Sequence, residues 1–238
     1  MSHYISPSKL AAFFHCPAQY AYSRIYNPLT KDKFMADGTA AHALLAGQKP
    51  PKLSPRARSF YERLQFMYAE MDYTPLWLDE EGKPVVELRQ VVPLSKSIKL
   101  VRVIDAFAKT KDGEAVLIDY KTTVWPWRLL FESKSATNPV PQSMGFQATA
   151  YLIPPNEPTP FAWPNRIDFL VASERGGLAV HTYRQSPEDM ANLLDAIQVV
   201  HKAKLFPKHR GNGCAFCSYK EACFGTPGWE ALYEKKGK

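Results

Sequence analysis

No stretch of this 238-residue chain approaches the roughly eighteen consecutive apolar residues that a membrane-crossing helix needs. The first residues, Met1 to Pro7, lack the basic and apolar regions of a secretory signal, which points to a soluble, cytoplasmic protein. Internal repeats and low-complexity tracts are absent as well, so nothing suggests a solenoid or a disordered tail. Cysteine is scarce: four residues, which in a reducing compartment read as metal-binding or catalytic rather than as a disulfide framework. Acidic residues are fewer than basic ones, 23 against 30, and the resulting charge of +7 is a mild lean toward polyanions, whose counterions are released on binding.

What is present fits one sizeable domain, taken as residues 1–238, rather than two. Ser6-Pro7 reads as an N-cap followed by proline at the first helical position, opening a helix that is broken or bent at Cys16-Pro17. A second helix is expected from Gly38-Thr39, and a third over Ser59 to Met71 after a proline-marked linker that includes Pro55. Extended runs follow at 84–93, 99–108 and 115–122, the last two joined by Lys111-Asp112-Gly113, whose Asp-Gly readily supplies the positive φ of a hairpin turn. A helix is expected over Gln142–Leu152, strands over Ile167–Ser173 and Leu178–Arg184, and a capped helix from Ser186-Pro187-Glu188 to about Lys204. This order implies an α/β core with a mixed sheet.

Side chains alternate across a strand, so Asp119 and Lys121 share one face of the run 115–122 while Tyr120 takes the other. The hairpin brings Asp105 beside them from the preceding strand. Two carboxylates suit a hard divalent cation such as Mg²⁺ or Mn²⁺, and a nearby ammonium can orient water or offset developing charge in phosphodiester hydrolysis. Asp-x-Lys alone is common on solvated hairpins and carries little weight without its surroundings.

Cys214-Ala215-Phe216-Cys217, five further residues and Cys223 have the spacing of a metal knuckle, introduced by Gly211-Asn212-Gly213. A closed tetrahedral site needs a fourth thiolate, and Cys16 is the one cysteine left. By spacing, Zn²⁺ with four cysteines and a [4Fe–4S] cluster are both chemically reasonable.

Taken in order, Gly38-Thr39-Ala40-Ala41-His42, Val103-Ile104-Asp105, Ile118-Asp119-Tyr120-Lys121-Thr122 and Gln147-Ala148-Thr149-Ala150-Tyr151 resemble the motifs of the RecB-like branch of the PD-(D/E)XK nucleases. Phe13-Phe14-His15-Cys16-Pro17-Ala18-Gln19-Tyr20, with the distant cysteine knuckle, is similar to the iron–sulfur members of that branch: the AddB-type nuclease domain and the CRISPR adaptation exonucleases. The resemblance implies a restriction-endonuclease-like core of about residues 38–185, with cluster-binding parts at about 6–22 and 205–225. It implies His42, Asp105, Asp119 and the backbone carbonyl of Tyr120 as metal ligands and Lys121 as the catalytic lysine. Gln147 and Tyr151, four apart on one helical face, would position the lysine strand or a DNA phosphate. It also favours [4Fe–4S] over zinc at Cys16, Cys214, Cys217 and Cys223, in a structural role. Where the family often carries glycine three residues before the first aspartate, this chain has Arg102.

The expected activity is therefore a Mg²⁺- or Mn²⁺-dependent DNA exonuclease acting on single-stranded ends, in recombination, repair or CRISPR adaptation of a bacterium or phage. Trp125, Trp127 and Arg128 suit stacking on unpaired bases or a hydrophobic plug equally well. Two rivals stand beside this reading: a non-catalytic nucleic-acid-binding module on the same scaffold, and a zinc-stabilised structural protein.

Overall fold

The computed structural model describes residues 3–29, 33–50, 52–123, 140–175, 177–209, 214 and 217–236. Strand β1 (His3–Ile5) leads into helix α1 (Pro7–His15), whose N-cap Ser6 accepts a hydrogen bond from the Lys9 amide. Pro17 disfavours a helical residue before it, so Cys16 is extended and helix α2 (Pro17–Ile25) starts afresh. Strand β2 (Tyr26–Pro28) follows.

Two helix starts differ from expectation. Helix α3 spans Lys33–Leu45 and so begins before Gly38, which lies within it although glycine weakens a helix interior by about 1 kcal/mol. Helix α4 spans Pro55–Glu70, with Pro55 in its first turn and Ser54 capping the Ala57 amide. The proline assigned to a linker is a helix opener, because the amide it lacks has no intrahelical partner there.

Strands β3 (Thr74–Pro75), β4 (Val86–Pro93), β5 (Ile98–Lys109) and β6 (Ala115–Thr123) come next, then helix α5 (Val140–Leu152) and strands β7 (Arg166–Ser173) and β8 (Gly177–Arg184). Gly113 has a φ of 81°, as the Asp-Gly hairpin requires. Helix α6 (Pro187–Lys202) opens on a capping box between Ser186 and Asp189. Helix α7 (Lys220–Phe224), a 3₁₀ turn (Trp229–Leu232) and strand β9 (Tyr233–Lys235) close the described chain, and β9 pairs with β2.

Seven strands form one sheet in the order β1-β5-β6-β7-β8, with β3 and β4 on the other edge of β5. The β1–β5 and β6–β7 pairs are parallel and the rest antiparallel, so the sheet is mixed, as its sequence pattern implied. Three-residue β1 was not anticipated, being too short to show alternation. Helices α3 and α4 cover one face through Ala41, Phe60 and Leu64 against Ala106, Ile118 and Leu170. Helix α5 covers the other through Ala148 and Leu152 against Leu117, Phe169 and Val171. The remaining core joins α1 and α6 through Leu10, Phe13, Leu193 and Ile197.

One topological feature positions everything that follows. Strands β5 and β6 pair from Lys109↔Ala115 to Ala106↔Ile118 and then part. Beyond that point β6 continues along β7 to Thr123↔Ser173, while β5 runs along β4 toward Lys99↔Pro93. Asp105 and Asp119 are the first residues past the last rung, at the crotch of a fork.

Candidate active site

At the fork the Asp105 carboxylate accepts a hydrogen bond from the Tyr120 amide at 2.7 Å, so the side chain of one strand closes the place where backbone pairing ends. Asp119 is 4% exposed, and its Oδ2 lies 2.5 Å from Lys121 Nζ. Lys121 is the cation that faces this buried oxygen. Burial pushes the Asp119 carboxyl up, Lys121 pulls it back down, and Asp105 raises it again. Strand alternation holds as expected: Tyr120 packs on the α3–α4 face, and Lys121 lies 5.7 Å from the centre of the Phe169 ring on the α5 face.

Helix α3 delivers His42. Its Nδ1 lies 3.5 Å from Asp105 Oδ2 and 3.8 Å from Glu87 Oε1, and its ring meets that of Tyr120 edge to face, centroids 6.1 Å apart. Burial alone would lower the imidazole, but the carboxylates of Asp105 and Glu87 raise it to about 10. Gly38 explains how the helix comes so close: a Cβ there would stand 2.6 Å from Thr122 Oγ1 on β6. Glycine is retained inside the helix because its missing side chain makes room for the strand that carries Asp119 and Lys121.

Glu87 was missed by the sequence reading. On the β4 edge the ladder runs Val86↔Ala106, then Leu88↔Ile104, and skips Glu87 opposite Asp105. Glu87 has a φ of 51°, a left-handed backbone rare outside glycine. One donor atom each from His42, Glu87 and Asp105 lies within 4.8 Å of the others, a spacing that could hold a metal ion. These are nitrogen and hard oxygen donors, as Mg²⁺ or Mn²⁺ prefers. Asp119 stands beside this group, turned toward Lys121, and feels the charges of both Asp105 and His42. A cavity of about 540 Å³, lined by His42, Glu87, Tyr120, Lys121 and Thr122 among others, opens over it.

Helix α5 backs the site. Gln147 is buried and its Nε2 lies 3.5 Å from the Tyr151 hydroxyl, so the expected pair shares one face. Burial and then the Asp119 charge push the Tyr151 phenol up, which puts it close behind that carboxylate. Arg102, in the place of the expected glycine, is 1% exposed. Its guanidinium donates to the carbonyls of Ala150 and Tyr151 at 2.9 and 2.7 Å and to Gln90 Oε1, and stacks over Trp163. The arginine therefore clamps the last turn of α5 to the strand that carries Asp105.

Cys16, Cys214, Cys217 and Cys223 line one narrow cavity between α2 and α7. Burial pushes the Cys217 thiol up, and the other three cysteines add to the shift. Among the described residues no three of these sulfurs come within 4.8 Å of one another, so the structure shows no closed ligand set there. Trp125, Trp127, Arg128 and Gly211 to Gly213 lie outside the described residues.

Residues 4–224 match the family described as the PD-(D/E)XK nuclease superfamily. The chain belongs to that superfamily. No curated protein matches it. Among solved structures, one from Eubacterium rectale named "Putative exonuclease" has a TM-score of 0.52 at 12% identity, covering 94% of this chain and 93% of its own. The structure of SSO0001 has a TM-score of 0.48 at 12% identity, covering 94% of this chain and 86% of its own. At such identity the first likeness speaks to the fold. For a nuclease of this superfamily the fork of β5 and β6, with its acids and lysine, is the candidate centre for phosphodiester hydrolysis. No described helix is long and apolar enough to cross a membrane.

Proposed function

We propose that the protein is a Mg²⁺- or Mn²⁺-dependent deoxyribonuclease that digests DNA from its ends, single-stranded ends foremost, as a cytoplasmic factor in recombination, repair or CRISPR adaptation. The observation that carries this reading is the convergence of His42, Glu87, Asp105, Asp119 and Lys121 at one strand fork beneath an open cavity. His42, Asp105, Asp119 and the Tyr120 carbonyl would hold the cation, with Glu87 as an added carboxylate. The bound cation supplies Lewis acidity to the scissile phosphate. Lys121, held by Asp119, presents an ammonium to a phosphate oxygen or to the attacking water and offsets the charge that builds there. Gln147 and Tyr151 would position the lysine strand or a DNA phosphate, with the Tyr151 phenol beside Asp119. Exonucleolytic action and the preference for unpaired DNA rest on the resemblance to the RecB-like branch.

The same reading assigns a [4Fe–4S] cluster to Cys16, Cys214, Cys217 and Cys223, all four lining one cavity. A tetrahedral zinc site, with Zn–S of about 2.3 Å, would hold its sulfurs roughly 3.8 Å apart. In the cluster each thiolate would bind a different iron.

Two measurements test the proposal. End-labelled single-stranded DNA is expected to be degraded with Mn²⁺ or Mg²⁺ by the wild type, and at least about a hundred-fold more slowly by Lys121→Ala. Binding without cutting, under either metal, would instead make the chain a nucleic-acid-binding module. Protein purified without oxygen is expected to show a visible absorption band; a colourless, zinc-loaded protein would remove the cluster from the proposal.

A further inference from the structure

A second cavity adjoins the fork and has no part in the chemistry just described. It measures about 230 Å³ and is lined by Tyr68 and Gln65 of α4, Leu45 of α3, Val86 of β4, Pro84 and Tyr120, among others. It shares a wall with the catalytic cavity. Tyr120 lines both. On β4, Glu87 faces the first and Val86 the second; on α3, Ala43 lines the first and Leu45 the second. Its volume falls below the about 300–1,000 Å³ typical of drug-sized ligands, so it suits one planar fragment. Its surroundings are tyrosine, proline and aliphatic side chains with few polar groups. They include the side-chain amide of Gln65, which both donates and accepts, and the phenol of Tyr68. Like any phenol it is a donor at neutral pH, and burial pushes it further up, to about 12.

We infer that this cavity receives one unpaired nucleobase of the nucleic-acid strand whose phosphate lies at the fork. The inference rests on the nuclease reading above and deepens it. Base and phosphate of one nucleotide are joined through a sugar, and the two cavities share one wall residue, Tyr120. Stacking on tyrosine is indifferent to base identity, so the subsite selects for a base free to leave its stack and not for a sequence. A paired base cannot enter without first unpairing, which would give the enzyme its preference for single strands without a dedicated contact to the displaced strand.

The test uses single-stranded oligonucleotides with one abasic residue moved stepwise along the strand, cut by the wild type and by Gln65→Trp, which fills the cavity from its exposed rim. Wild-type cleavage is expected to slow about ten-fold at one linkage next to the abasic residue. Gln65→Trp is expected to cut ordinary DNA at about that slower rate and to ignore the abasic residue. A binding measurement stands beside it. In the Lys121→Ala background a 2-aminopurine at the sensitive position is expected to lose fluorescence on binding, and to keep it when Gln65→Trp is added. Brisk cleavage of ordinary DNA with no abasic sensitivity and unchanged fluorescence would overturn the base subsite and leave the nuclease reading standing. Loss of fluorescence with no cleavage by the wild type would overturn the nuclease reading and leave the base subsite standing.

Discussion

A Cβ added at Gly38 lies 2.6 Å from Thr122 Oγ1, closer than real contacts allow, so an alanine there must push α3 away from β6 or force Thr122 to move. Gly38→Ala is expected to lower stability by about 1–3 kcal/mol, as overpacking does, and to reduce cleavage because His42 shifts with its helix. Adding Thr122→Ala opens the space and is expected to restore most of both, as read by urea denaturation and nuclease assay. A Gly38→Ala protein as stable and active as the wild type would show that the approach is not tight. The same scale separates what the sequence discloses from what it hides. Asp119 and Lys121 are legible because a strand has period two and the apolar run before them marks its direction. Glu87 is not legible. It stands in an ordinary extended run, and it becomes a partner of Asp105 only through the register of β4 on β5 and its own left-handed backbone.

At the scale of elements, the hairpin that presents the two aspartates is held at its far end by charge. Arg166 of β7 bridges Glu114 and the buried Asp168, with Tyr73 also donating to Asp168, and Arg184 of β8 grips the same Glu114. The hydrogen bond from Arg184, aided by Arg166, holds the Glu114 carboxyl down at about 2. A carboxyl lowered on folding adds stability that is complete above its unfolded value, about 4.5, and is lost as pH falls toward 2. The wild-type urea midpoint is therefore expected to drop between pH 5 and 2 by more than that of Glu114→Gln, while the two curves run parallel above pH 6. Parallel curves throughout would mean that the bridge contributes nothing. These long-range ion pairs were invisible in the sequence, since Glu114, Arg166 and Arg184 are 52 and 70 residues apart in their pairs. The five long strands, β4 to β8, were visible to within about two residues at each end. The helix starts at Lys33 and Pro55 were not, because glycine and proline, read as punctuation, were inside the elements they appeared to bound.

For the whole molecule, the beginning and end of the described chain are bound to each other. Strand β2 pairs with β9, the Tyr22 hydroxyl donates to the Ala222 carbonyl at 3.2 Å, and Tyr219 donates to the Tyr26 carbonyl at 3.2 Å. The rings of Tyr22, Tyr219 and Tyr233 stack in succession beside the cysteine cavity. If the four thiolates share a cluster, it closes a very long loop, and a cross-link of that span limits the unfolded chain by up to about 5 kcal/mol. Cys16→Ser is then expected to lose the visible band and to melt roughly 5–10 °C lower. Lost colour with an unchanged melting temperature would assign the closure to β2, β9 and the tyrosines. The cysteine spacing exposed this junction in the sequence. The β2–β9 ribbon did not show, because two three-residue strands carry no periodicity and their pairing is a property of the finished fold.

The pairing of Tyr26 with Lys235 also sets a clock. At the roughly 5–20 residues per second of synthesis, β2 waits about 10–40 s for the strand that completes it. During that interval α1 and α2 have emerged with Cys16 exposed, while Cys214, Cys217 and Cys223 are still unmade or inside the ribosome. A four-thiolate centre can therefore be filled only after Cys223 has been made and has left the ribosome. The sheet with its forked strands, complete by Arg184, has time to form first.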